Sequence, residues 1–461
     1  MRSIINYMPL ISINPTTGET IREFTELTPE QIEVKLALAH SAFQDWKNKS
    51  FAERAEKMRQ VAEVLRANTE KYGLVATLEI GKTIKEAKAE VEKCATACDY
   101  YAENAEKFLT PENAPSDASE SYVRFDPMGA VLAIGPWNFP YWQVFRFVSG
   151  ALMAGNVVVM KHASNVQGCG EAIEEAFKLA GFPEGVFQNL PVSSGAIEKI
   201  IRDKRIIGVT LTGSEKAGRA VASIAADEVK KSVLELGGSD PFIVLEDADI
   251  AAAAQAATAS RLMNCGQVCL AAKRFIVVES VAEQFIVACK TAFEKIIVGD
   301  PADINTQMGP LMSTKAVEDI DKQVKSSLEK GARLVTGGQK LDRAGAFYAP
   351  TILADINSSM PAYTEEIFGP VAAVITVKDE AEAIRVANDS DFGLSASLWT
   401  NDKEKAKKLA AQIEVGSVFV NGMVKSDPRL PLGGVKRSGF GRELYSFGIR
   451  EFVNIKSVWI K

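Results

Sequence analysis

The sequence AVLAIG at 130–135 is followed by NVVVMK at 156–161 and by RIIGVTL at 205–211. Each is a short apolar run rich in β-branched residues, and stretches with helical spacing separate one run from the next. Such alternation predicts βαβ units around a parallel sheet that is buried on both faces. A second series begins after Gly237, with strand candidates at 241–245, 274–278, 371–377 and 417–421. The sequence therefore predicts an α/β fold with two open α/β domains in succession.

The segments outside these two series have a different character. Residues 28–110 are rich in Ala, Glu, Lys and Gln with helical spacing, which predicts several amphipathic helices. Residues 119–127 and 454–460 alternate apolar and polar side chains, as strands with an exposed edge do. Such edges are usually covered in proteins, so we expect these two segments to serve assembly.

Composition excludes several classes of protein. The chain has 461 residues, 47% of them hydrophobic, and this length exceeds what one core usually organises. The formal charge of -6, without a stripe of Lys or Arg, argues against nucleic acid as a partner. The chain has two histidines, and its cysteines lack the spacing of zinc ligands, so we expect no metal site.

Cysteine usage and hydropathy suggest a compartment. Six scattered cysteines and no secretory leader fit a reducing cytosol, and no apolar run approaches the length of about 20 residues that spans a bilayer. We therefore expect a soluble cytoplasmic protein without a membrane partner. Cys94 and Cys98 lie one helical turn apart, and core packing is their expected role.

Two short strings point to covalent catalysis. Leu-Glu-Leu-Gly-Gly surrounds Glu235, and Gly-Gln-Val-Cys ends at Cys269, 34 residues later. A carboxyl group among apolar residues has a raised pKa and suits a general base, whereas a cysteine attacks only as a thiolate. The alternative for Cys269 is a small buried hydrophobe, which is the commoner role of an isolated cysteine.

The chain as a whole resembles the aldehyde dehydrogenase superfamily, from about Tyr7 to the C-terminus. Five strings occur in the family's order and spacing: Pro136-Trp137-Asn138-Phe139-Pro140, Thr212-Gly213-Ser214, Glu235-Leu236-Gly237-Gly238, Gly266-Gln267-Val268-Cys269 and Glu366-Ile367-Phe368-Gly369-Pro370. Within the superfamily, the compact length and the string Trp-Gln-Val-Phe-Arg resemble the bacterial and cyanobacterial NADP-dependent succinic semialdehyde dehydrogenases.

This resemblance implies a reaction course and a catalytic set. Cys269 is expected to attack an aldehyde, a nicotinamide cofactor to accept a hydride, and water activated by Glu235 to hydrolyse the thioester. The Asn138 side chain and the Cys269 backbone N–H are the matching donors to the oxyanion. Asn138 has an alternative role as a turn residue. The presence of Glu235 favours hydrolysis to a free acid over transfer to coenzyme A.

The cofactor site lacks the G-x-G-x-x-G fingerprint of an ordinary Rossmann fold. Instead, the strand at 206–211 enters Thr212-Gly213-Ser214, where Ser214 can cap the following helix and the helix N-terminus can hold a pyrophosphate. A plain N-cap is the alternative. Lys161 and Ser164 follow the strand at 156–160, at the edge where ligands bind to open sheets.

The resemblance assigns Lys161 to the adenosine ribose, and Glu366 and Phe368 to the nicotinamide half, with Trp137 completing the set. An ordinary turn is the alternative for Glu366 and Phe368. Many relatives that prefer NAD have an acidic residue where this chain has Ser164. A serine donates a hydrogen bond without repelling a 2′-phosphate, so NADP is the expected cofactor and NAD a weaker one.

The substrate is expected to be a small aldehyde. Trp142, Arg146 and Ser149 lie near one face of the helix after Pro140. Arg146 is either paired internally with an acid or clamps a substrate carboxylate, and Ser426 can add a second contact. Succinic semialdehyde is the predicted substrate. The alternatives are glutaric semialdehyde, an uncharged aliphatic aldehyde, or no reaction at all if the chain is an idle scaffold.

The resemblance also divides the chain. We predict a Rossmann-like cofactor-binding domain at 1–118 and 138–236, and a catalytic domain at 237–440. An oligomerisation arm and C-terminal segment are predicted at 119–137 and 441–461, which implies a homodimer or homotetramer. Cys265 lies one helical turn before Cys269, and packing is its expected role.

Overall fold

The computed structural model describes residues 10–461, which form twenty β-strands and fifteen α-helices. The strands are β1 (Leu10–Ile13), β2 (Thr20–Phe24), β3 (Glu112–Asn113), β4 (Glu120–Pro127), β5 (Ala130–Ile134), β6 (Val157–Lys161), β7 (Phe187–Asn189), β8 (Ile206–Thr212), β9 (Lys231–Glu235), β10 (Asp240–Val244), β11 (Ala272–Val278), β12 (Arg333–Thr336), β13 (Thr351–Ala354), β14 (Val371–Val377), β15 (Phe392–Gly393), β16 (Ser395–Trp399), β17 (Ser417–Val420), β18 (Val435–Lys436), β19 (Gly439–Phe440) and β20 (Val453–Ile460).

The helices are α1 (Pro29–Trp46), α2 (Phe51–Ala67), α3 (Thr69–Ile80), α4 (Ile84–Leu109), α5 (Trp142–Met153), α6 (Gln167–Leu179), α7 (Ile197–Arg202), α8 (Glu215–Asp227), α9 (Ile250–Leu262), α10 (Glu279–Phe293), α11 (Thr314–Glu329), α12 (Pro361–Thr364), α13 (Glu380–Asn388), α14 (Lys403–Ala410) and α15 (Tyr445–Ile449). Tyr7 and the rest of the first nine residues of the predicted cofactor-binding domain lie outside the described range.

Two large sheets organise the described residues. The first has six strands in the order β19-β9-β8-β5-β6-β7, of which β5 to β9 are parallel and β19 is antiparallel to β9. The second has seven strands in the order β12-β13-β14-β11-β10-β16-β17, parallel except for β12. The predicted α/β fold with two successive parallel sheets is therefore confirmed.

Each sheet has its own hydrophobic core. One core joins α1 to α6 and the first sheet, and the other joins the second sheet to α9, α10 and α11. Both sheets contain a point at which the strand order reverses, between β5 and β8 in the first and between β10 and β16 in the second. Ligands of open α/β sheets bind beyond the carboxyl ends of strands at such points.

Most of the predicted strands appear within one or two residues of their expected bounds. The run at 371–377 coincides with β14, and the run at 130–135 contains β5. Six strands of the two large sheets, β7, β9, β12, β13, β16 and β19, were not predicted, and three of them, β9, β13 and β16, pair on both edges. Lys161 is the last residue of β6 rather than the first residue beyond it.

The predicted arm segment at 119–137 requires a correction. Its second part contains β5, which hydrogen-bonds to β6 on one side and to β8 on the other. A strand paired on both edges belongs to the interior of its sheet, so β5 is part of the first large sheet and not of the arm. The other predicted domain boundaries stay a prediction.

The first part of that segment behaves as expected of an exposed strand. β4 pairs with β20 along its whole length, and the two form a three-stranded antiparallel sheet with β3. Ile455, Trp459 and Ile460 on β20 keep 62%, 52% and 43% of their surfaces exposed. Among residues 10–461, no helix is both long enough and apolar enough to cross a membrane.

Candidate active site

Cys269 follows a strained turn between α9 and β11. Asn264, Cys265 and Gly266 all have left-handed backbone conformations, with φ of 46°, 54° and 73°. A Cβ at Gly266 would collide with the carbonyl group of Gly369, so only glycine fits there. Non-glycine residues adopt such angles at a cost, and clusters of them are typical of functional sites.

The six cysteines differ in exposure. Cys269 is partly exposed, whereas the other five are buried. Cys94 and Cys98 lie in the first core and Cys265 lies in the second, which confirms the packing roles expected of all three. Because the turn at 264–266 is left-handed, Cys265 is not on a helix shared with Cys269.

The backbone at Cys269 is held by a buried lysine. Lys273 Nζ donates hydrogen bonds to the carbonyl oxygens of Val268 (3.0 Å) and Cys269 (2.7 Å). Surrounding protein atoms raise the pKa of the Cys269 thiol to about 11, while the nearby charges of Arg146 and Lys273 oppose that rise. The thiol therefore needs a base to remove its proton before it can attack.

Asn138 is tied to the same turn. Its side-chain Nδ2 donates to the carbonyl oxygen of Gln267 (2.9 Å), and Asn264 Nδ2 donates to the carbonyl oxygen of Asn138 (2.8 Å). Among the described residues, the backbone N–H of Cys269 has no hydrogen-bond acceptor. An amide with a second free hydrogen and an unengaged N–H beside a thiol are the donors that an oxyanion hole requires.

Glu235 ends β9, where it belongs to a buried charge cluster. The guanidinium of Arg146 forms an ion pair with Glu443, lies 3.9 Å from Glu235 Oε2, and donates a 3.0 Å hydrogen bond to Thr212 Oγ1. Burial raises the pKa of both carboxyl groups above the ordinary value for glutamate, and Arg146 opposes that rise. The internal pairing that the sequence left open for Arg146 is therefore present.

A cavity of about 90 Å³ connects several of the predicted residues. Cys269, Arg146, Trp142 and Ser426 line it, whereas Glu235 lies behind Arg146 and does not. Glu235 Oε1 is buried and has no hydrogen-bond partner in the part of the chain that the structure describes. A carboxylate oxygen without a partner can accept a proton once the side chain turns toward the cavity.

Lys93 also lines this cavity, and the sequence did not predict it. Trp142 Nε1 donates a 2.7 Å hydrogen bond to Ser426 Oγ, and Lys93 Nζ donates a second one of 2.8 Å to the same oxygen. The Lys93 ammonium also lies 4.1 Å from the centre of the Trp142 ring. Lys93, Trp142 and Ser426 are hereafter called the distal cluster.

One face of α4 supports all of these parts. Glu86 accepts a hydrogen bond from the backbone N–H of Asn264 (2.9 Å), and Glu90 accepts from those of Tyr141 (2.8 Å) and Trp142 (2.9 Å). Glu86, Glu90 and Lys93 are spaced by four and three residues, so they lie on one side of the helix. Along the helix from Glu86 to Lys93, that side contacts first the turn before Cys269, then the start of α5 and then the distal cluster.

The predicted phosphate-binding turn lies at the carboxyl end of β8. Ser214 caps α8 by accepting a hydrogen bond from the backbone N–H of Ala217 (3.3 Å), which confirms the predicted cap. A side chain at Gly213 would meet only Leu211, so the space beside this residue is open. The Thr212 hydroxyl group is engaged by Arg146, on the catalytic side of the turn.

The end of β6 offers hydrogen-bond donors that form no ion pair in the described part of the chain. Within residues 10–461, Lys161 forms no ion pair and Ser164 forms no side-chain hydrogen bond, and both are partly exposed. In the same loop, Nδ2 of Asn165 is buried without a partner among the described residues. Donors of this kind fit the 2′-phosphate of NADP.

The nicotinamide-side candidates lie near one another. Trp137 and Phe368 pack edge to face with their ring centres 5.9 Å apart, and both line a cavity of about 480 Å³ together with Glu366. Glu366 Oε1 is 3.2 Å from Lys273 Nζ and accepts a hydrogen bond from the backbone N–H of Gly238 (3.1 Å). A cavity bordered by two aromatic rings and a fixed carboxylate fits a nicotinamide riboside.

Sequence reasoning missed Lys93, Glu443 and Lys273. Lys93 lies in the amphipathic segment at 28–110, next to Cys94 of the first core. A lysine on the buried side of a helix is unusual, and this was the available signal. No comparable signal marks Glu443, since it lies in a glycine-rich turn near the C-terminus. Lys273 follows Cys269 by four positions, and this spacing carries no sequence cue either.

Comparison with known proteins identifies the family of this chain. The sequence model of the Aldehyde dehydrogenase family matches residues 7–458. A protein of Synechocystis named as a probable NADP(+)-dependent succinate-semialdehyde dehydrogenase is 50% identical, with 98% of this chain and 100% of that protein covered. A Mycobacterium tuberculosis protein named succinate-semialdehyde dehydrogenase [NADP(+)] 1 is 48% identical over 98% of this chain and 100% of its own.

A solved structure is similar throughout as well. Succinic semialdehyde dehydrogenase from Streptococcus pyogenes, in complex with NADP+, superposes with a TM-score of 0.96 at 40% identity, covering 98% of this chain and 99% of the other. Sequence and structure thus agree over almost the whole length. The chain belongs to the aldehyde dehydrogenase family.

Proposed function

We propose that this aldehyde dehydrogenase oxidises succinic semialdehyde to succinate with NADP. The observation that carries the proposal is that the partly exposed Cys269 and the hydrogen-bond donors of the distal cluster line the same cavity. An aldehyde with a carboxylate at its other end is the ligand that such a cavity would hold. The NADP-dependent relatives at about half identity support the same substrate and cofactor.

The reaction begins at Cys269. Glu235 turns from Arg146 toward the cavity and accepts the thiol proton, and the thiolate forms a bond to the aldehyde carbon. The negative charge that develops on the aldehyde oxygen is bound by the Cys269 N–H and by the Asn138 amide. When bound, NADP supplies a nicotinamide ring that accepts a hydride from the same carbon, which leaves a thioester on Cys269.

Glu235 releases the thiol proton to solvent and then acts a second time. It accepts a proton from water, the hydroxide attacks the thioester carbon, and the carbon–sulfur bond breaks to release the carboxylic acid and the Cys269 thiolate. Burial favours this role because it raises the pKa of Glu235 toward the working pH. The carbonyl oxygen of the thioester lies between the donors that held the first oxyanion.

Residues for the cofactor are available at three places. Lys161 and Ser164 would hold the 2′-phosphate ribose, and Gly213 and Ser214 the pyrophosphate at the start of α8. Trp137, Glu366 and Phe368 would border the nicotinamide half. Lys161 supports NADP over NAD, because its ammonium group forms no ion pair among the described residues and a phosphate can supply one.

The first experiment measures the initial rate of reduced-cofactor formation with succinic semialdehyde, using NADP and NAD at matched concentrations. We expect faster turnover with NADP and loss of at least about 10³-fold in a Cys269→Ala variant, because no other group can form the thioester. Cys289→Ala removes a buried cysteine from the second core and serves as the matched control. Turnover by Cys269→Ala at the control rate would contradict the proposed nucleophile.

Two outcomes with the unmodified enzyme are equally informative. Faster turnover with NAD would overturn the inference from Ser164. Absence of turnover with succinic semialdehyde, but not with an uncharged aldehyde such as butanal, would favour the alternative substrate class.

We further propose that the enzyme is a cytoplasmic homodimer or homotetramer. All six cysteines are unpaired, which suits a reducing compartment. The exposed apolar residues of β20 lie at the edge of a small sheet, where a second copy can cover them. Light scattering after size-exclusion chromatography tests the assembly, and the mass of one chain would contradict it.

A further inference from the structure

Lys273 is a buried cation that is bound on all sides by groups of the active site. Its Nζ donates to the carbonyl oxygens of Val268 (3.0 Å) and Cys269 (2.7 Å) and lies 3.2 Å from Glu366 Oε1. Its side chain keeps only 2% of its surface exposed. An ammonium group has three hydrogens to donate, so these three contacts account for all of them. In the proposed mechanism this lysine has no role.

A tight turn brings Lys273 back to Cys269. The backbone N–H of Ala271 donates to the carbonyl oxygen of Val268 (3.2 Å), which reverses the chain directly after the nucleophile. β11 begins at Ala272, and Lys273 is its second residue. Because β11 pairs with β10 on one edge and with β14 on the other, the interior of the second sheet fixes the base of the lysine side chain.

The hydrogen bond to Val268 determines where the backbone N–H of Cys269 points. The carbonyl group of Val268 and the N–H of Cys269 belong to one peptide unit, and this unit is trans, like the others in residues 10–461. The C=O and N–H of a trans peptide point in opposite directions. Because Lys273 holds the carbonyl oxygen on its own side, the N–H is directed away from Lys273. Among the described residues it has no acceptor there.

The charge of Lys273 acts on the same peptide and on the thiol. A cation bound to a carbonyl oxygen polarises the amide, which makes its N–H a stronger donor. Burial raises the pKa of the Cys269 thiol, whereas the charges of Arg146 on α5 and Lys273 on β11 lower it. Glu235 on β9 and Glu366 in the loop before β14 raise it further. Lys273 is thus one of two cations that favour the thiolate.

We propose that Lys273 is a positioning residue that directs the Cys269 N–H toward the aldehyde oxygen and places a positive charge next to the nucleophile. The inference deepens the proposed function and rests on it, because the oxyanion belongs to the same reaction. Lys273 does not line the cavity of Cys269, so it acts through the peptide unit of Cys269 rather than on the substrate. Glu366 engages the third hydrogen of the ammonium group and thereby fixes the direction of the other two.

The first measurement is the rate at which iodoacetamide alkylates Cys269 in the enzyme without aldehyde or cofactor, followed by mass spectrometry of the peptide that contains Cys269. Lys273→Met removes the charge and keeps a side chain of similar length. We expect alkylation at about pH 7 to 9 to slow by about tenfold, because a thiol whose pKa is one unit higher has about a tenth as much thiolate. Iodoacetamide is uncharged, so its approach does not depend on Lys273. Damage to the turn would expose the thiol and speed the reaction instead.

A second carboxyl group near Lys273 cannot explain slower alkylation. Burial raises the pKa of Asp240, on the neighbouring strand β10, to about 7, and Lys273 opposes that rise. In Lys273→Met the Asp240 carboxyl group therefore keeps its proton to higher pH. It then carries less negative charge, which would favour the Cys269 thiolate and speed alkylation.

Steady-state kinetics test the direction of the N–H. With saturating NADP, we expect Lys273→Met to lower kcat for succinic semialdehyde by about 10- to 100-fold and to leave KM within about twofold, because the oxyanion forms only after the substrate is bound. The same loss is expected with butanal, since both aldehydes form the same oxyanion. A turn that is merely loosened would raise KM as well.

Lys290→Met is the matched control. Lys290 lies on α10, which packs on the second sheet, and it keeps 45% of its side chain exposed at 3.8 Å from Glu294. Its alkylation rate and kcat should equal those of the unmodified enzyme. Lys273→Arg keeps the charge and should recover most of the alkylation rate that Lys273→Met loses. If circular dichroism shows that Lys273→Met does not fold, Lys273→Gln replaces it, because its amide keeps one donor without the charge, and alkylation should slow by the same factor.

Two results would overturn the assignment. Alkylation of Lys273→Met at the unmodified rate or faster would mean that the charge of the lysine does not act on the nucleophile. An unchanged kcat, or a loss expressed in KM, would mean that the lysine supports the fold and not the oxyanion donor. If the unmodified enzyme oxidises no aldehyde, the proposed function itself fails, and the alkylation rates still decide whether Lys273 acts on Cys269.

Discussion

The two ends of the substrate cavity differ in how their charges are balanced. At the reaction end, Arg146 lies between Glu235 and Glu443, and Lys273 lies beside Glu366. At the distal cluster, Lys93 has a hydroxyl oxygen and an aromatic ring as neighbours but no carboxylate in the described part of the chain. The charged groups at the reaction end have partners within the protein. The donors of the distal cluster would gain an acceptor when an anion binds.

This difference separates chemistry from recognition. In the proposed mechanism, the charges of Arg146 and Lys273 are paired whether or not substrate is present, and Glu235 has to turn toward the cavity before it acts. Donors without acceptors, in contrast, raise the free energy of the empty site, and an anion that binds there supplies the missing acceptors. Lys161 at the cofactor site resembles Lys93 in this respect, because it too awaits a negative charge.

Glu235→Gln should produce the largest effect, since it removes the base from the balanced end. We expect steady-state turnover to fall by about 10²- to 10⁴-fold with charged and uncharged aldehydes alike. Because Glu235 is the proposed base in both halves of the reaction, thioester formation should slow as well, and any burst of reduced cofactor before the steady-state phase should be small. Rapid-mixing absorbance measures both phases.

Glu246→Gln is the control for this change, because Glu246 is exposed in the loop after β10. Its rate should match the unmodified enzyme. A Glu235→Gln variant that turns over at the normal rate would show that water is activated by another group.

A comparison of Arg146→Gln with Lys93→Met measures how much each of the two cations contributes to stability. Removing Arg146 leaves two buried carboxyl groups without their cation, which should lower the free energy of unfolding by about 3–5 kcal/mol. Removing Lys93 breaks no ion pair and should leave stability unchanged or slightly higher. Urea unfolding measures both, with Arg219→Gln as an exposed control expected within about 0.5 kcal/mol.

The pH dependence of the Arg146→Gln variant follows from the same charges. Arg146 opposes the rise in the pKa of Glu235 and Glu443, so its loss raises both values further in the folded state. The folded state then binds more protons than the unfolded state above about pH 4.3, and stability falls as pH rises. The loss in the free energy of unfolding caused by Arg146→Gln should therefore be larger at pH 8 than at pH 5. A loss that is smaller at pH 8 would contradict the pairing of Arg146 with Glu235 and Glu443.

Ser164→Glu should give the smallest effect, because it places a balancing charge beside Lys161 at a partly exposed position. We expect the ratio of kcat/KM for NADP to that for NAD to fall by about tenfold, since the carboxylate repels the 2′-phosphate. Ser164→Gln has the same length without the charge and should change the ratio much less. Equal ratios in the two variants would mean that size, not charge, sets the preference.

Residues next to a strand end or a tight turn could be predicted from the sequence. The strands β5, β8 and β14, the cap at Ser214 and the partly exposed Cys269 all follow from local patterns. Local patterns suffice there because a turn residue and the strand that it follows are neighbours in the chain. Trp142 and Ser426 were also brought together as expected, although that expectation rested on family resemblance rather than on spacing.

The missed residues share a different property. Lys93 and Ser426 are separated by 333 positions, and Arg146 and Glu443 belong to different parts of the chain. Such contacts depend on how α4, α5 and the C-terminal turn pack, which no short window of sequence encodes. For Arg146, the sequence correctly demanded a partner for a buried charge but could not say whether the partner was internal.

The charged face of α4 has a consequence for redesign of the enzyme. Glu86 holds the turn before Cys269, Glu90 holds the start of α5, and Lys93 reaches the distal cluster, all from one rigid helix. A shift of this helix to admit a longer aldehyde would displace the nucleophile and the oxyanion donors as well. Substrate length is therefore best altered by exchanging the side chain at Lys93 for a shorter one, with the backbone of the helix left where it is.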